Sequence, residues 1–318
     1  MLKRIEDVDK SIKKDIIING IMRSKGVYLL VSQPKVGKSM LALQLADSIT
    51  NGKPFLEHKV NASPVLYIST ESDLGQLQER IKTLGLKPKK DSLFIIDRDG
   101  KANISLFDIE YEIHEFAMEH NGRFIIIDML KEMNFGVSYD INSYQDIAQI
   151  LMPKLRNLCE KYNLTILITH HLNKQNLTLG STAFDASVDG IITLKSYKNS
   201  SNHVKMVITN RDFEGMEIEL KKDKNLLFSI CDSLDEEIIN PNLILFIKYA
   251  SEKGRLEFTA TSIVKDAKLL ITPKSMGRLL NSNRALLEKE GLHITQNRTS
   301  KERLYECIYV EPSDEEDE

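Results

Sequence analysis

The chain has 318 residues, of which 42% are hydrophobic and 28% are charged. These proportions are near the norm for globular proteins and exclude a disordered or collagen-like chain. No apolar run approaches the roughly 18 residues of a membrane helix, and the first residues lack the apolar region of a signal peptide, so we expect a cytoplasmic protein with no membrane partner. Three widely spaced cysteines without CxxC spacing argue against a disulfide framework or a zinc site and agree with a reducing compartment.

The net charge of −3 is unevenly distributed along the chain. The last eight residues, 311–318, carry six acids and no base, which leaves residues 1–310 with a net charge of +3. Residues 239–310 carry twelve Lys and Arg against seven Asp and Glu. A basic module followed by an acidic tail points to a polyanionic partner for which the tail competes, although a merely solvated surface has the same composition.

Short apolar runs typical of strands alternate with helical patterns through the first two thirds of the chain. Runs that are apolar throughout are buried on both faces, and the helices between them imply parallel crossover connections. We therefore predict an α/β fold with a mainly parallel sheet, and four further runs without helices predict an antiparallel extension of it. The predicted strands are 26–31, 64–69, 93–96, 124–127 and 164–168, the helices are 38–51, 73–84, 105–120 and 144–162, and the four further runs are 190–194, 204–209, 216–220 and 226–230.

The last eighty residues indicate a second module, so we divide the chain into residues 1–235, 236–310 and an acidic tail, 311–318. Helical patterns cover 243–250 and 259–267, and a third helix begins at Thr272-Pro273 and ends at Gly291, before a hairpin of 292–295 and 304–310. Three helices and a basic-tipped hairpin resemble a winged helix.

Winged helices bind DNA through a recognition helix and the tip of the wing. We expect Lys274 and Arg278 on the exposed face of the third helix, where it would meet the major groove, and Arg298 and Lys301 on the wing. Modules of this shape also dock proteins, so both kinds of partner stay open.

The segment 32–39, Ser-Gln-Pro-Lys-Val-Gly-Lys-Ser, follows a predicted strand and opens a predicted helix. That is the context of a phosphate-binding loop, in which a lysine meets the β and γ phosphates and a hydroxyl ligates Mg²⁺; a turn with an exposed lysine is the alternative. The GxxxxGK[ST] pattern has glycine where Ser32 stands, so Ser32 must keep a negative φ. The residues expected to contact ATP are Gln33, Pro34, Lys35, Val36, Gly37, Lys38, Ser39 and Met40, with Ser39 on the metal.

Three further predicted strands end in polar residues. Asp128 follows 124–127 and either lies beside the Mg²⁺ or caps the next segment. Glu71 follows 64–69 and either orients the attacking water or is an acid at a helix N-terminus. Adjacent residues of a strand point to opposite faces, so only one of His170 and His171 can face the nucleotide; we expect His170 to contact the γ-phosphate and His171 to pack.

Together these motifs resemble the RecA-type ATPase domain of the plasmid RepA-like hexameric helicases, which are related to the DnaB-type replicative helicases. The resemblance covers roughly residues 15–230 and implies Lys38 and Ser39 on phosphate and Mg²⁺, Glu71 as catalytic base, Asp128 as the second acidic residue of the metal site and His170 as γ-phosphate sensor. The segments that carry it are 34–39, 66–71, 126–128, 169–174, 180–183 with Asp189, and 209–211.

The resemblance also implies an arginine finger that completes a neighbour's site in the ring. Arg211 matches it best, although Thr209 stands where the family has a lysine, and a surface arginine is the alternative. The loops near 131–144 and 173–180 would line a central channel, with Lys174 either on the phosphate backbone of single-stranded DNA or solvated.

The functional prediction is an ATP- and Mg²⁺-dependent motor that translocates on DNA, a homohexameric replicative helicase of a plasmid, phage or mobile element. Its alternative is a DNA-binding assembly or regulatory protein that uses nucleotide only to control its oligomeric state and does not unwind DNA. A recombinase-like filament, an open helix instead of a closed ring, is a third possibility.

Overall fold

The computed structural model describes residues 15–98, 104–106, 109–130, 133–134, 140, 142–172, 178, 182–197, 200–231, 240–298 and 303–311. The chain forms two compact units, residues 1–232 and 233–318. Lys174, Lys301 and most of the acidic tail lie outside the described residues.

The N-terminal unit consists of thirteen strands and six helices in the part of the chain that is described. Its strands are β1 (Ile16–Ile18), β2 (Met22–Arg23), β3 (Val27–Ser32), β4 (Val65–Ser69), β5 (Leu93–Ile96), β6 (Ile104–Ser105), β7 (Phe124–Asp128), β8 (Met133–Asn134), β9 (Thr165–His171), β10 (Gly190–Tyr197), β11 (Ser200–Asn210), β12 (Met216–Lys222) and β13 (Phe228–Ile230). Its helices are α1 (Lys38–Asn51), α2 (Leu74–Thr83), α3 (Glu110–Met118), α4 (Tyr144–Asp146), α5 (Met152–Tyr162) and α6 (Ala183–Ser187).

Nine strands form one sheet in the order β13-β12-β11-β10-β3-β9-β7-β4-β5. The six strands from β10 to β5 are parallel, and β11, β12 and β13 continue the sheet antiparallel to their neighbours. The prediction of an α/β fold with a mainly parallel sheet and an antiparallel extension is confirmed. One detail was wrong: β10 was assigned to the extension, yet it pairs parallel with β3, because the helix-containing segment before it returns the chain to the starting edge of β3.

Side chains of each central strand alternate between two apolar layers, one on either face of the sheet. In β3, Tyr28 and Leu30 face one layer, whereas Val27, Leu29 and Val31 face the other. The first layer contains residues of α1 and α2, and the second contains residues of α3 and α5. This burial from both sides explains why the strands are apolar throughout. We call the side of the sheet covered by α1 the α1 face.

The helices differ from their predicted bounds where local geometry intervenes. Helix α1 matches the prediction, and Gly52 at φ 64 accepts the left-handed turn that ends it. The helix predicted over 144–162 is interrupted by a π-helical turn, Ile147–Leu151. The periodicity of apolar residues does not register this single-turn change in hydrogen bonding.

The C-terminal unit contains α7 (Pro241–Lys253), β14 (Arg255–Thr259), α8 (Ala260–Asp266), α9 (Pro273–Ser282), α10 (Arg284–Lys289), β15 (Leu292–Arg298) and β16 (Arg303–Tyr309). The predicted third helix was wrong in being continuous, since Asn283 at φ −121 separates α9 from α10. Strand β14 was not predicted. It forms by pairing with β16 in the order β14-β16-β15, a tertiary contact that local sequence does not reveal.

The C-terminal unit has its own apolar core, to which Leu243 and Phe246 of α7, Met276 of α9 and Tyr305 of β16 contribute. Across the described part of the chain, no helix combines the length and the apolar character needed to cross a membrane.

Leu243 and Leu245 of α7 offer a matched test of this core, since the first is 0% and the second 45% exposed. Leu243→Ala should lower the free energy of unfolding of this unit by about 2–5 kcal/mol, because it leaves a cavity. Leu245→Ala should cost about 0.5 kcal/mol or less. Amide hydrogen exchange of peptides from the C-terminal unit measures both, and equal losses would contradict the packing described.

Candidate active site

Four adjacent parallel strands, β3, β9, β7 and β4, end at the same edge of the sheet. Their registers pair Ser32 with His171 and Ser69 with Asp128, so these positions lie side by side. The polar ends of the strands and the start of α1 enclose a depression that we call the cleft. The residues that line the cleft are Lys35, Gly37, Lys38, Ser39, Met40, Glu71, Arg80, Asp128, Met129, His171, Lys222 and Leu226.

The loop between β3 and α1 has the backbone geometry of an anion-binding turn. Lys35 and Gly37 have positive φ, 67° and 117°, and Gly37 is the N-cap of α1 without any side-chain cap. The first N–H groups of α1 therefore receive no side-chain acceptor at the cap, and successive N–H groups in such a loop favour an anion. A Cβ at Gly37 would lie 2.8 Å from the Phe228 ring, so glycine is required there for space as well as for conformation.

Ser32, the departure from the glycine pattern, is accommodated as an ordinary strand residue. It is the last residue of β3 and is not among the residues with positive φ, as the sequence required. Its hydroxyl donates to the Gln33 carbonyl oxygen and accepts from Lys38 Nζ at 3.2 Å.

The ammonium of Lys38 lies at the centre of the cleft. Lys38 is only 8% exposed, and its Nζ lies 3.1 Å from His171 Nδ1 in addition to the Ser32 contact. Because an ammonium only donates, Nδ1 is the acceptor. Burial lowers the pKa of Lys38, and the charges of Asp128 and Glu71 oppose that shift. A cation is thus held between two carboxylates and a loop of N–H groups.

Asp128 is fixed by two hydroxyl groups. Tyr67 Oη donates to Oδ2 and Thr169 Oγ1 donates to Oδ1, each at 2.6 Å. Burial, with the Asp128 charge as the next cause, raises the pKa of Tyr67 well above its ordinary value, so the phenol stays protonated as a donor. These contacts and the position of Asp128 in the cleft favour the metal-site interpretation over a cap on the next segment.

Glu71 lies in the loop between β4 and α2 and contributes to the cleft wall. The N-terminus of α2 is capped by Asp73, whose Oδ1 accepts from the Gln76 N–H, and no acid lies in the first turn of the helix. Asp73 therefore fills the role that was the alternative for Glu71. The loop is also held from the segment after β5, since Arg98 donates to the Glu71 carbonyl oxygen at 3.2 Å and the Leu74 N–H donates to Asp97 at 2.8 Å.

The prediction that His170 faces the nucleotide is wrong for this geometry, because the structure places His171 in the cleft. Ile166 and Ile168 face the layer opposite the α1 face, and period-two alternation puts His170 with them. His170 is 0% exposed, and its ring centroid lies 5.4 Å from that of Phe184. The two histidines have the opposite roles to those expected.

Arg211 lies at the other edge of the sheet, away from the cleft of its own chain. It follows Asn210, which pairs with Gly190, and Gly190 pairs with Tyr28 near the start of β3. The guanidinium of Arg211 is exposed and donates to the Ala186 carbonyl oxygen. Arg211 is therefore not brought together with Lys38, Glu71 and Asp128.

The expected DNA contacts of the C-terminal unit are described only in part. Lys274 and Arg278 are on α9, where Lys274 is exposed, whereas Met276 and Leu280 of the same helix are buried. Arg298 is the last residue of β15, and its side chain is outside the described part.

Sequence reasoning missed five residues that line or support the cleft. Tyr67 and Thr169 lie in apolar strands where they read as core, and Arg80 lies on a helix with several charged residues. Lys222 and Leu226 belong to the β12–β13 hairpin, which Gln44 of α1 fixes by bonding both the N–H and the carbonyl oxygen of Phe228. No sequence signal marks a hairpin from the end of the domain as a cleft wall.

Comparisons with known proteins agree with this geometry. The sequence model described as an AAA domain matches residues 6–176, more than half of the chain. The chain is 22% identical over 298 residues to the DNA repair protein RadA of Aquifex aeolicus, covering 89% of this chain and 61% of the relative. It is 24% identical over 302 residues to RadA of Helicobacter pylori J99, covering 89% and 60%. The chain thus spans about 60% of the length of these relatives.

Among solved structures, the ATPase domain of a DnaB-like helicase superposes with a TM-score of 0.53 at 16% identity, covering 65% of this chain and 85% of that domain. At that identity the likeness shows the fold alone, and this fold is the one that the sheet order and phosphate loop describe. The chain therefore belongs to the AAA-domain family and has the RecA-like fold of the P-loop ATPases.

Proposed function

We propose that this chain hydrolyses ATP with Mg²⁺ and uses the hydrolysis to translocate on single-stranded DNA, as a ring-forming hexameric helicase of a plasmid, phage or mobile element. The observation that carries the proposal is the convergence of Lys38, Glu71 and Asp128 in one cleft, at the loop that begins α1. The separation of Arg211 from that cleft supports an assembly in which subunits complete each other's sites.

Within one subunit, catalysis of phosphoryl transfer is mainly positioning and electrostatic stabilisation. Lys38 would meet the β and γ phosphates, and His171, which contacts Lys38, would lie beside the γ-phosphate. Glu71 would orient the attacking water from the opposite wall.

Ser39 and Asp128 fit a Mg²⁺ site, since both offer the oxygen donors that this ion prefers and both line the cleft. A bound Mg²⁺ would neutralise charge on the phosphate oxygens. Asp128, whose carboxylate is held by Tyr67 and Thr169, is the better fixed of the two residues.

Arg211 would act on the nucleotide of a neighbouring subunit. Four residues of β3 lie between the level of Arg211 and the phosphate loop, a distance of roughly 13 Å at about 3.3 Å per residue. An interface that joins one edge of the sheet to the other edge of the next subunit is heterologous and closes into a ring or continues as a filament.

The C-terminal unit supports a DNA partner. Its order of helices and its antiparallel sheet β14-β16-β15 agree with a winged helix, and α9 carries Lys274 and Arg278 outside its buried stripe. Relatives named as DNA repair proteins support the same partner. Duplex binding through this unit would add to single-strand binding in the channel.

Lys38→Ala should reduce ATP hydrolysis by about 100-fold or more, because it removes the cation that meets the transferred phosphate. It should also abolish strand displacement on a forked DNA duplex. Phosphate release and displacement of a labelled strand are the measurements, with Lys53→Ala as a control, an exposed lysine just beyond α1.

Robust hydrolysis by an assembled oligomer with no displacement would instead favour the alternative, in which nucleotide controls only assembly on DNA. Hydrolysis retained in Lys38→Ala would contradict the assignment of the cleft.

Arg211→Ala should lower hydrolysis by about 10³-fold or more in the assembled protein. Mixing inactive Arg211→Ala subunits with inactive Lys38→Ala subunits should restore part of the activity, because each supplies what the other lacks at a shared interface. Phosphate release is measured as a function of mixing ratio. If Arg211 served its own cleft or none, no ratio would restore activity.

His171→Asn should lower the rate of ATP hydrolysis by about 10²-fold and leave ADP affinity nearly unchanged, because His171 is the histidine in the cleft. His170→Asn should lower the melting temperature more than the rate, since it alters a buried contact with Phe184. Steady-state kinetics and thermal melts separate the two, and a reversed pattern would assign the γ-phosphate contact to His170.

A further inference from the structure

Three strands bring three buried polar side chains together beneath the cleft. Tyr67 of β4 and Thr169 of β9 donate to the two oxygens of Asp128 on β7, the strand between them, each at 2.6 Å. Tyr67 and Thr169 are 0% exposed and Asp128 is 4% exposed. Bonds of this length between a hydroxyl and a carboxylate are in the strong, charge-assisted range.

The registers explain how these groups meet. Tyr67 pairs with Ile126, so its phenol reaches Asp128 diagonally, two residues further along β7. Ile168 pairs with Ile127, so Thr169 follows at the level of Asp128 on the other side. Every one of these side chains lies on the α1 face, the side on which the phosphate loop turns into α1. The carboxylate is thereby fixed from left and right within the sheet.

A carboxylate has about four acceptor positions, and the two hydroxyls occupy one on each oxygen. Asp128 also lines the cleft, so the remaining positions are available there. Fixing both oxygens sets the rotation of the carboxylate plane, which determines where a hydrated cation can be held.

Because the proposed function makes Asp128 part of the Mg²⁺ site, we propose, resting on that function, that Tyr67 and Thr169 are positioning residues that orient the Asp128 carboxylate toward Mg²⁺-nucleotide. Neither residue touches the reacting groups. Removal of an outer hydrogen bond of this kind typically costs 10- to 100-fold in metal affinity.

A second buried tyrosine shows what a purely structural phenol does in the same layer. Tyr28 of β3 also faces the α1 face and is 1% exposed. Its Oη accepts from the Arg23 backbone N–H at 2.8 Å, near the start of β3 and away from the cleft. Tyr28→Phe therefore removes a buried hydroxyl of the same sheet face without affecting Asp128, and it is the matched control for Tyr67→Phe.

The test measures Mn²⁺ binding to the ADP-saturated protein by electron paramagnetic resonance, with Mn²⁺ as the probe for Mg²⁺. Tyr67→Phe should weaken Mn²⁺ binding about 10-fold or more and raise the Mg²⁺ concentration for half-maximal ATP hydrolysis by a similar factor. Thr169→Val should do the same, and Thr169→Ser, which keeps the hydroxyl, should recover most of the loss. Tyr28→Phe should match the wild type in Mn²⁺ affinity.

Mn²⁺ affinity of Tyr67→Phe equal to that of the wild type would overturn the inference, as would equal weakening in Tyr67→Phe and Tyr28→Phe. If Tyr67→Phe does not fold, the Thr169→Val and Thr169→Ser pair decides, and identical Mn²⁺ affinities in that pair would overturn the inference. Failure of the wild type to bind Mn²⁺ with ADP or to hydrolyse ATP would refute the proposed function itself. Normal wild-type behaviour with unaffected variants would refute only the positioning role.

Discussion

Parallel strands that are neighbours in one sheet end at the same edge, and the composition of the cleft depends on this constraint. Strands β3, β9, β7 and β4 are consecutive in the sheet, so the residues that follow their apolar stretches meet without any long-range loop. Period-two alternation then selects which of them face α1. Asp128, Thr169 and His171 share that face, and the phosphate loop arrives at it because α1 packs there.

The same two rules explain which parts of the site were predictable. A carboxylate at the end of an apolar strand is visible in the amino-acid sequence, so Asp128 and Glu71 could be assigned from the sequence alone. The choice between His170 and His171 could not, because a strand buried on both faces has no alternation of polar and apolar residues. Only the packing of α1 decides which face becomes the cleft. Tyr67 and Thr169 were hidden because both residue types are common in ordinary strands.

Fold boundaries followed a similar division. Helix α1 begins after Gly37 and ends before Gly52, and both glycines adopt positive φ, so its extent was written in local sequence. The division of α9 from α10 at Asn283 and the pairing of β14 with β16 depend on contacts between distant segments. Local propensity carries no information about such contacts, and these elements were accordingly predicted wrongly or missed.

The electrostatics of the cleft agree with a polyphosphate ligand. Burial lowers the pKa of Lys38, while Asp128 and Glu71 raise it, so the ammonium depends on nearby negative charge. In the proposed function a triphosphate brings further negative charge to Nζ and raises the pKa of Lys38 again. Nucleotide binding and the charged form of Lys38 therefore favour each other.

The edge at which β3 begins is organised around the turn after α6. Arg156 donates to the Ser187 carbonyl oxygen and pairs with Asp189, while Asp189 accepts from the Val27 N–H. Arg211 donates to the Ala186 carbonyl oxygen of the same turn. In the proposed ring Arg211 must exchange that acceptor for a neighbour's phosphate.

The energies favour this exchange. A hydrogen bond of this kind contributes about 0.5–1.5 kcal/mol, whereas a 10³-fold rate effect of an arginine in the transition state corresponds to about 4 kcal/mol. The bond to Ala186 is therefore too weak to keep Arg211 from a correctly placed neighbour. Arg156 differs, because its carbonyl contact is joined by the ion pair with Asp189, and it continues to hold the turn when Arg211 leaves. On this reasoning the approach of a neighbouring subunit, and not nucleotide binding alone, determines when the proposed site becomes complete.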